Sequence, residues 1–408
     1  MHHFTYREDE LYCEEVPIRQ IAEQVGTPFY VYSHATLKRH FTKFDEAFDG
    51  LDRLICFSAK ANASLAILKL LTGRGGGLDI VSGGELYRGL KAGIPPGRIV
   101  YSGVGKRVDE IDYALQTDIL MFNIESLEEL EVIDQRAGQL KKKARIAIRV
   151  NPDVDPKTHP YISTGLKKNK FGIDTITAME GYRMANQLDN IEIIGIDCHI
   201  GSQITDVQPF KDALASLLSL TKELKNIGID IQYLDMGGGL GIPYGNESPP
   251  NPDEYARALA DSLKGTDIKL ILEPGRVIVG NAGVLVTRTL YRKSGSVKNF
   301  VIVDAGMNDL LRPTLYGAYH AIQPAKRSDR QMLVADVVGP ICETSDFLAQ
   351  DRELAEVDSG ELLVVMSAGA YAYTMASNYC SRLKVAEVMV KEDQVYVIRK
   401  RQTYEDLV

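Results

Sequence analysis

Between Pro28 and Arg276 eight short apolar, mostly β-rich runs each give way to polar turn residues and usually to a stretch with helical spacing. This alternation constrains the fold more than any other feature of the chain. The runs are Leu54 to Ser58, Leu78 to Ser82, Arg98 to Ser102, Ile119 to Asn123, Ala144 to Val150, Ile191 to Ile200, Ile231 to Met236 and Ile268 to Glu273. Repeated βα units build a parallel sheet, either open and doubly wound or closed. A count of eight, with no Gly-rich dinucleotide fingerprint after the first run, favours a closed (β/α)8 TIM-type barrel. The helices carry start signals of their own: Ser126-Leu-Glu-Glu129 has the form of a capping box, and Leu127, Leu130 and Ile133 follow on one face.

From Ala282 the texture changes to β-rich runs such as Val284 to Leu290, Phe300 to Val303, Met332 to Val338, Leu362 to Met366 and Val395 to Ile398. With 408 residues the chain exceeds what one core usually supports. The expectation is an α/β protein of two domains. Residues 28–280 form the barrel, and residues 1–27, with strand-like Phe4 to Tyr6 and Leu11 to Glu14, join 281–408 in a mostly β domain of sandwich or barrel type.

A net charge of -8 argues against a nucleic-acid partner, which calls for a basic surface. No apolar run reaches the roughly 18 residues of a membrane span, and Met1 to Glu10 lacks the apolar stretch of a secretory signal, so a cytoplasmic protein is expected. Cys13, Cys56, Cys198, Cys342 and Cys380 are scattered, odd in number and free of CxxC pairs. They fit reduced thiols better than disulfides or a metal site.

In such a barrel the active-site groups come from the carboxyl ends of the strands. The residues at and just past the ends of the runs are polar, ionisable or Gly-rich: Lys60, Asp79 and Glu85, Ser102 and Gly103, Asn123 and Glu125, Arg149 and Asn151, His199 and Ser202, Gly237 to Gly239, and Glu273 to Arg276. Each has an ordinary alternative. Lys60 alone reads as a surface lysine, but at a barrel mouth its amine could form a Schiff base with a carbonyl cofactor. The run Gly237-Gly-Gly-Leu-Gly241 could be a plain turn, yet it follows the seventh strand, where this fold gathers phosphate sites and where glycines let backbone N–H groups converge on an anion. Glu273 and Arg276 could be a surface ion pair, or the acid could face a pyridine ring nitrogen and keep it protonated. His199 could be a satisfied core histidine or a flat ring stacked on a cofactor.

Taken together, the ordered elements Phe57-Ser-Ala-Lys60-Ala-Asn62, His159-Pro-Tyr-Ile-Ser-Thr-Gly165 with Lys170-Phe-Gly172, His199-Ile-Gly-Ser202-Gln, the glycine run, Glu273-Pro-Gly-Arg276, Arg312-Pro-Thr-Leu-Tyr316, Cys342-Glu-Thr-Ser-Asp346 and Gly369-Ala-Tyr371 resemble the diaminopimelate decarboxylases. These are carboxy-lyases in the alanine-racemase-like class of pyridoxal-phosphate enzymes. The resemblance covers nearly the whole chain. It implies pyridoxal 5'-phosphate held covalently by Lys60, with His199 stacked on the ring and Glu273 paired with its nitrogen. Ser202, Gly237, Gly238, Gly239, Gly275, Arg276 and Tyr371 would secure the phosphate. Cys342 would protonate the decarboxylated carbon, entering from the partner subunit of a homodimer with its active sites at the interface.

The implied reaction turns meso-2,6-diaminopimelate into L-lysine and carbon dioxide, the last step of lysine biosynthesis. Arg276, Arg312, Tyr316 and Tyr371 could hold the substrate, with the arginines on the distal carboxylate, and Glu343 could accept from the distal ammonium. Ornithine and arginine lack that carboxylate. Decarboxylases of ornithine, arginine or carboxynorspermidine, and a non-catalytic decarboxylase-like regulator, are the alternatives. After Tyr371 many relatives have Ser-Asn-Tyr-Asn, where this chain reads Ser377-Asn-Tyr-Cys380.

Overall fold

The computed structural model describes residues 2–155, 158, 164–165 and 169–408. Most of the motif from His159 to Gly165 therefore lies outside the described residues. The chain divides into two compact units, one of Phe41–Gly241 with Ser248–Gly275, the other of Met1–His40, Ile242–Glu247 and Arg276–Val408.

In the first unit the eight runs become β1 (Arg53–Ser58), β2 (Gly77–Ile80), β3 (Ile99–Tyr101), β4 (Met121–Ile124), β5 (Ala144–Asn151), β6 (Ile191–Asp197), β7 (Tyr233–Asp235) and β8 (Lys269–Leu272). Each pairs in parallel with the next, and β8 pairs with β1, closing the barrel. A strand enclosed on both faces is apolar throughout rather than alternating. β1 accordingly buries every residue after Arg53, and Leu54, Cys56, Val100, Leu120, Met121, Ala147, Ile194 and Ile271 fill the interior.

The helix Leu127–Leu140 buries Leu130, Ile133 and Ala137, and Ser126 Oγ accepts from Glu129 N at 3.1 Å. Only half of the expected capping box forms. The Glu129 carboxylate accepts instead from Glu125 N at 3.0 Å and from Lys106 Nζ at 2.6 Å, because a buried ammonium needs a counter-charge more than an N-cap amide needs a second acceptor.

The second unit is mostly β. Its sheet runs Phe347–Ala355, Met332–Val338, Asn299–Val303, Gly283–Ser294, Phe29–Ser33, Ala386–Lys391 and Gln394–Arg399, with Leu362–Val365 and Ile322–Pro324 branching from Gly283–Ser294. Phe4–Arg7, Glu10–Cys13 and Val16–Pro17 make a separate three-stranded meander. Phe4, Leu11, Cys13 and Val16 from that meander share one core with Phe29, Val31, Val284, Val364 and Val388.

The boundaries expected at residues 28 and 280 fall elsewhere. Phe29–Ser33 is a central strand of the second unit, antiparallel to Gly283–Ser294 and parallel to Ala386–Lys391. All five of its residues are buried, and Tyr30 and Tyr32 donate their hydroxyl protons to Asp309 O and to Glu387 Oε1 at 2.6 and 2.8 Å. At the other end the division comes after Gly275. No helix among the described residues is long and apolar enough to cross a membrane.

One buried hydroxyl ties two barrel strands together: Tyr182 Oη donates to Gly195 O at 2.8 Å and accepts from Ile148 N at 3.4 Å. Removing it with Tyr182→Phe is expected to lower unfolding stability by about 1 kcal/mol, read from urea denaturation, since a buried neutral hydrogen bond contributes roughly that much. An unchanged midpoint would show that the hydroxyl contributes nothing to strand pairing.

Candidate active site

The barrel cluster starts from Lys60, on the single turn Ala59–Ala61 that follows β1. Its Nζ lies 2.8 Å from Oδ2 of Asp79, which is 1 % exposed at the end of β2. Ser58 Oγ donates to the same oxygen at 2.5 Å, while Asp79 Oδ1 is buried without a hydrogen-bond partner among the described residues. Gly275 lets β8's exit pass close by, since a Cβ there would stand 2.9 Å from Ala61 and 3.0 Å from Ser58. The turn carrying Lys60 is thus packed directly against the segment that carries Glu273.

Glu273 leaves the end of β8 buried. Ser102 Oγ donates to its Oε1 at 3.3 Å, and Asn123 Nδ2 bridges Ser102 Oγ at 3.1 Å and Asp235 Oδ2 at 3.4 Å. Burial, and then the neighbouring Asp235, hold the Glu273 carboxyl well above its ordinary range. Burial also pushes Asp235 up to about 6. Asp197 moves the same way, through burial and Asp235. Among the described residues no group of three or more His, Cys, Asp and Glu is arranged to hold a metal ion.

Arg149, from β5, is the cation enclosed with these acids. It donates to Glu125 Oε1 at 2.6 Å and to His199 O at 3.3 Å, and Glu125 Oε2 accepts from Gly172 N at 2.7 Å. A buried pair of this kind is costly to break from one side, about 3–5 kcal/mol. It therefore fixes the exits of β4 and β5 and the backbone of His199.

His199 is held at its ring as well: Gly238 N donates to Nδ1 at 3.1 Å. The lone pair is on Nδ1 and the proton on Nε2. Burial, with Arg149 and Lys60 adding repulsion, holds its pKa well below the ordinary value, so the ring is neutral.

In the run Gly237 to Gly239, two of the three N–H groups are committed within the chain. Gly237 N donates to Asp235 Oδ1 at 2.9 Å and Gly238 N to His199. Gly239 N–H alone has no acceptor among the described residues. The glycines are needed for close approach: a Cβ at Gly238 would stand 2.2 Å from Glu273 O, and one at Gly239, where φ is +118°, 2.4 Å from Gly201 O. Ser202 follows Gly201 in that same turn.

The remaining expected residues belong to the second unit. Arg276 is 6 % exposed, its Nη1 donates to Tyr244 Oη at 2.6 Å, and its guanidinium lies 4.9 Å from the Tyr371 ring centre. Tyr371 follows Gly369, where a Cβ would collide with Val279 O at 1.9 Å, so the segment is clamped against the backbone just after Arg276. Arg312, also 6 % exposed, opens the short helix Arg312–Tyr316, which ends in Tyr316.

Cys342 and Glu343 are exposed on a loop pinned by Asp346, whose two oxygens accept from Met307 N and Ile341 N at 2.6 Å each. Glu343 accepts from Tyr379 Oη at 2.6 Å and from Ser345 Oγ, and these bonds hold its carboxyl below the usual range and charged. Sequence reasoning passed over Asp235, Tyr244, His320 and Asp346. Asp235 had a usable signal, an acid at a barrel-strand end. Asp346 closes the motif Cys342-Glu-Thr-Ser-Asp346, where its sequence position alone gives it no role.

The pyridoxal-binding domain of the pyridoxal-dependent decarboxylases matches residues 34–280. Over 407 residues the chain is 53 % identical to the diaminopimelate decarboxylase of Aquifex aeolicus, covering all of this chain and 96 % of that one. It is 51 % identical to that of Haemophilus influenzae, covering 98 % of it. Its fold is similar to the crystal structure of the Helicobacter pylori diaminopimelate decarboxylase complexed with L-lysine, with a TM-score of 0.93 and 46 % identity over 95 % of this chain and 98 % of that one. The chain belongs to the diaminopimelate decarboxylases.

The cofactor of a diaminopimelate decarboxylase is pyridoxal phosphate, and the barrel cluster fits it. Asp79, Glu125, Asp197, Asp235 and Glu273 are buried there against Arg149 and the partly exposed Lys60. A protonated pyridine nitrogen would supply the missing positive charge beside Glu273. Lys60 offers an amine, Gly239 an uncommitted N–H, and His199 a neutral flat ring.

The raised carboxyls give this family member a pH signature. A carboxyl raised in the folded state binds its proton more tightly than in the unfolded chain. Its contribution is present below the unfolded pKa, near 3.8, and lost as pH rises through about 6 for Asp235. In cofactor-free protein the melting temperature of Asp235→Asn should therefore fall less between pH 4.5 and 7.5 than that of the parent. Parallel melting curves would contradict the raised pKa.

Proposed function

We propose that this chain removes carbon dioxide from meso-2,6-diaminopimelate and releases L-lysine, the last step of lysine biosynthesis, as a cytoplasmic homodimer. The observation that carries the choice of substrate is the buried guanidinium of Arg312, which forms no ion pair among the described residues, in a family whose H. pylori member is seen with L-lysine. A buried cation is tolerated when an anion completes it. Diaminopimelate brings a second carboxylate after the reacting one, whereas ornithine and arginine do not. The buried, unpaired thiols fit a reducing compartment.

When bound, pyridoxal phosphate supplies an electron sink that accepts the pair left behind as the α-carboxylate departs. The chain does the rest. Lys60 would hold the cofactor through Nζ, with Asp79 Oδ2, 2.8 Å away, orienting the amine. Glu273 would keep a proton on the ring nitrogen, with Ser102, Asn123 and Asp235 fixing the acid in place. His199, neutral and locked by Gly238, would cover one ring face and exclude water from it. Ser202, the turn Gly237, Gly238 and Gly239, the Gly275-Arg276 backbone and Tyr371 would secure the phosphate, with Gly239 offering an N–H that has no acceptor among the described residues.

The far end of the substrate is held by Arg276, Arg312, Tyr316 and Tyr371 around its carboxylate and by charged Glu343 on its ammonium. Cys342 Sγ gives a proton to the carbon that lost carbon dioxide. Both Cys342 and Glu343 are exposed on a loop that Asp346 keeps rigid, which supports their presentation to a second copy of the chain.

The deciding experiment compares carbon dioxide release from meso-diaminopimelate, ornithine and arginine. At roughly 1.5–3 kcal/mol for each lost charge-assisted bond, kcat/KM should favour diaminopimelate by about two to four decades. Comparable rates would overturn the substrate assignment.

Cys342→Ala should keep its cofactor absorbance and lose about a hundredfold or more in kcat, the usual scale for a missing general acid. If Cys342 acts across the dimer, mixing Lys60→Ala with Cys342→Ala subunits should restore about a quarter of parental activity, because half the dimers gain one intact site. No recovery after subunit exchange would place both residues in a single chain's site.

A further inference from the structure

Arg312 has an uncommon set of neighbours for a buried guanidinium. Among the described residues it forms no ion pair and its Nε has no hydrogen-bond partner. Its Nη1 lies 2.7 Å from His320 Nε2, and the Tyr244 ring centre lies 4.5 Å from its guanidinium carbon. His320 is fully buried, with Nδ1 2.8 Å from Met366 O.

A carbonyl oxygen only accepts, so the proton is on Nδ1 and Nε2 turns its lone pair to Arg312. The ring is neutral, its pKa driven to about 3 by burial and then by Arg312. Tyr244 stands edge-on to the His320 ring, the two centres 5.2 Å apart. Its hydroxyl accepts from Arg276, so one tyrosine touches both guanidiniums.

Burial, and the repulsion of Arg276, make it harder for Arg312 to keep its charge. An acidic residue at 320 would relieve this and would also occupy the guanidinium. A neutral acceptor fixes where the N–H groups point and leaves the charge whole.

We propose that His320, with Tyr244 as spacer, is a positioning residue for substrate specificity: it aims Arg312 at the ligand's distal carboxylate without neutralising it. This rests on the reading of Arg312 as a carboxylate site and assigns that site its supporting residues. Substrate reaches Arg312, and His320 acts only through it.

The test uses the near-isosteric pair His320→Gln and His320→Glu in the pyridoxal-phosphate-loaded enzyme, with Arg312→Gln alongside. Gln keeps a neutral acceptor within reach of Nη1, whereas Glu adds a charge that competes with the ligand. KM for meso-diaminopimelate should stay within about threefold of the parent in His320→Gln and rise about ten- to a hundredfold in His320→Glu, with a smaller change in kcat. L-Lysine, which keeps the distal carboxylate, should lose affinity in parallel by calorimetry, while cadaverine, which lacks it, should bind all three proteins alike.

Should His320→Glu and His320→Gln show the same KM and the same L-lysine affinity, while Arg312→Gln raises KM, the charge argument for His320 is overturned and the carboxylate site stands. Should Arg312→Gln leave KM and L-lysine binding unchanged, the carboxylate reading itself fails and takes this inference with it. Melting temperatures and cofactor absorbance identify any variant that merely misfolds. If His320→Glu does so, Tyr244→Phe replaces it: the ring stays against Arg312 and the hydroxyl acceptor of Arg276 is lost, so KM should rise several-fold, and an unchanged KM counts against the spacer.

Discussion

Charge held out of balance in a dry interior is the constraint on which the rest of this molecule depends. Within the barrel the carboxyls of Asp79, Glu125, Asp197, Asp235 and Glu273 are buried together, and Arg149 is the cation enclosed with them. An ionised carboxyl out of water is expensive unless it is paired or protonated. The fold responds in both ways. Glu125 takes the guanidinium of Arg149, whereas Glu273, Asp235 and Asp197 hold their protons to higher pH. Asn123 and Ser102 then supply neutral donors to Asp235 and Glu273. The result is a site that favours a positively charged, ring-shaped guest.

The second unit carries the opposite sign. Arg276 and Arg312 are both buried, and their neighbours include the rings of Tyr244, Tyr371 and His320. Aromatic faces attract a guanidinium without cancelling its charge. His199 in one unit and His320 in the other are neutral histidines whose tautomers are set by the backbone, and the two tautomers are opposite. His199 accepts from Gly238 N and so keeps its proton on Nε2, whereas His320 donates from Nδ1 to Met366 O and presents a lone pair. In both cases a charged side chain at the same place would bind the neighbouring ions internally and compete with a ligand.

The features legible in the sequence are those with a local signature. Eight β-rich runs gave the barrel because enclosed parallel strands are apolar throughout, and Lys60, His199 and Glu273 could be found because the fold places chemistry at strand ends. Phe29–Ser33 shows where local reading stops. Its apolar pattern is the same as a barrel strand's, and only pairing with residues more than 250 positions away assigns it to the other sheet. Glu129 was legible as a cap residue but not as the partner of Lys106, which lies 23 positions earlier in the chain. Tyr244 and His320 gave no signal at all, since a tyrosine after a glycine run and a histidine in an irregular segment have many ordinary uses. Their meaning comes from Arg312, which the sequence places 68 residues from one and 8 from the other.

The glycines connect these two kinds of legibility. Gly237, Gly238 and Gly239 were readable as a phosphate loop by position, yet two of their three N–H groups are committed to Asp235 and His199. Their missing side chains matter at least as much, since Gly238 passes where any Cβ would meet Glu273 O and Gly239 where it would meet Gly201 O. Gly275 does the same beside the Lys60 turn. Backbone contacts of this closeness hold the histidine, the acid and the lysine without relying on flexible side chains. A charge cluster that is unfavourable when empty could otherwise relax by spreading apart, and the fold would recover the electrostatic cost by losing the geometry. With the backbone unable to yield, the cost persists until a ligand of the right sign arrives, and binding then stabilises the folded chain by the same free energy.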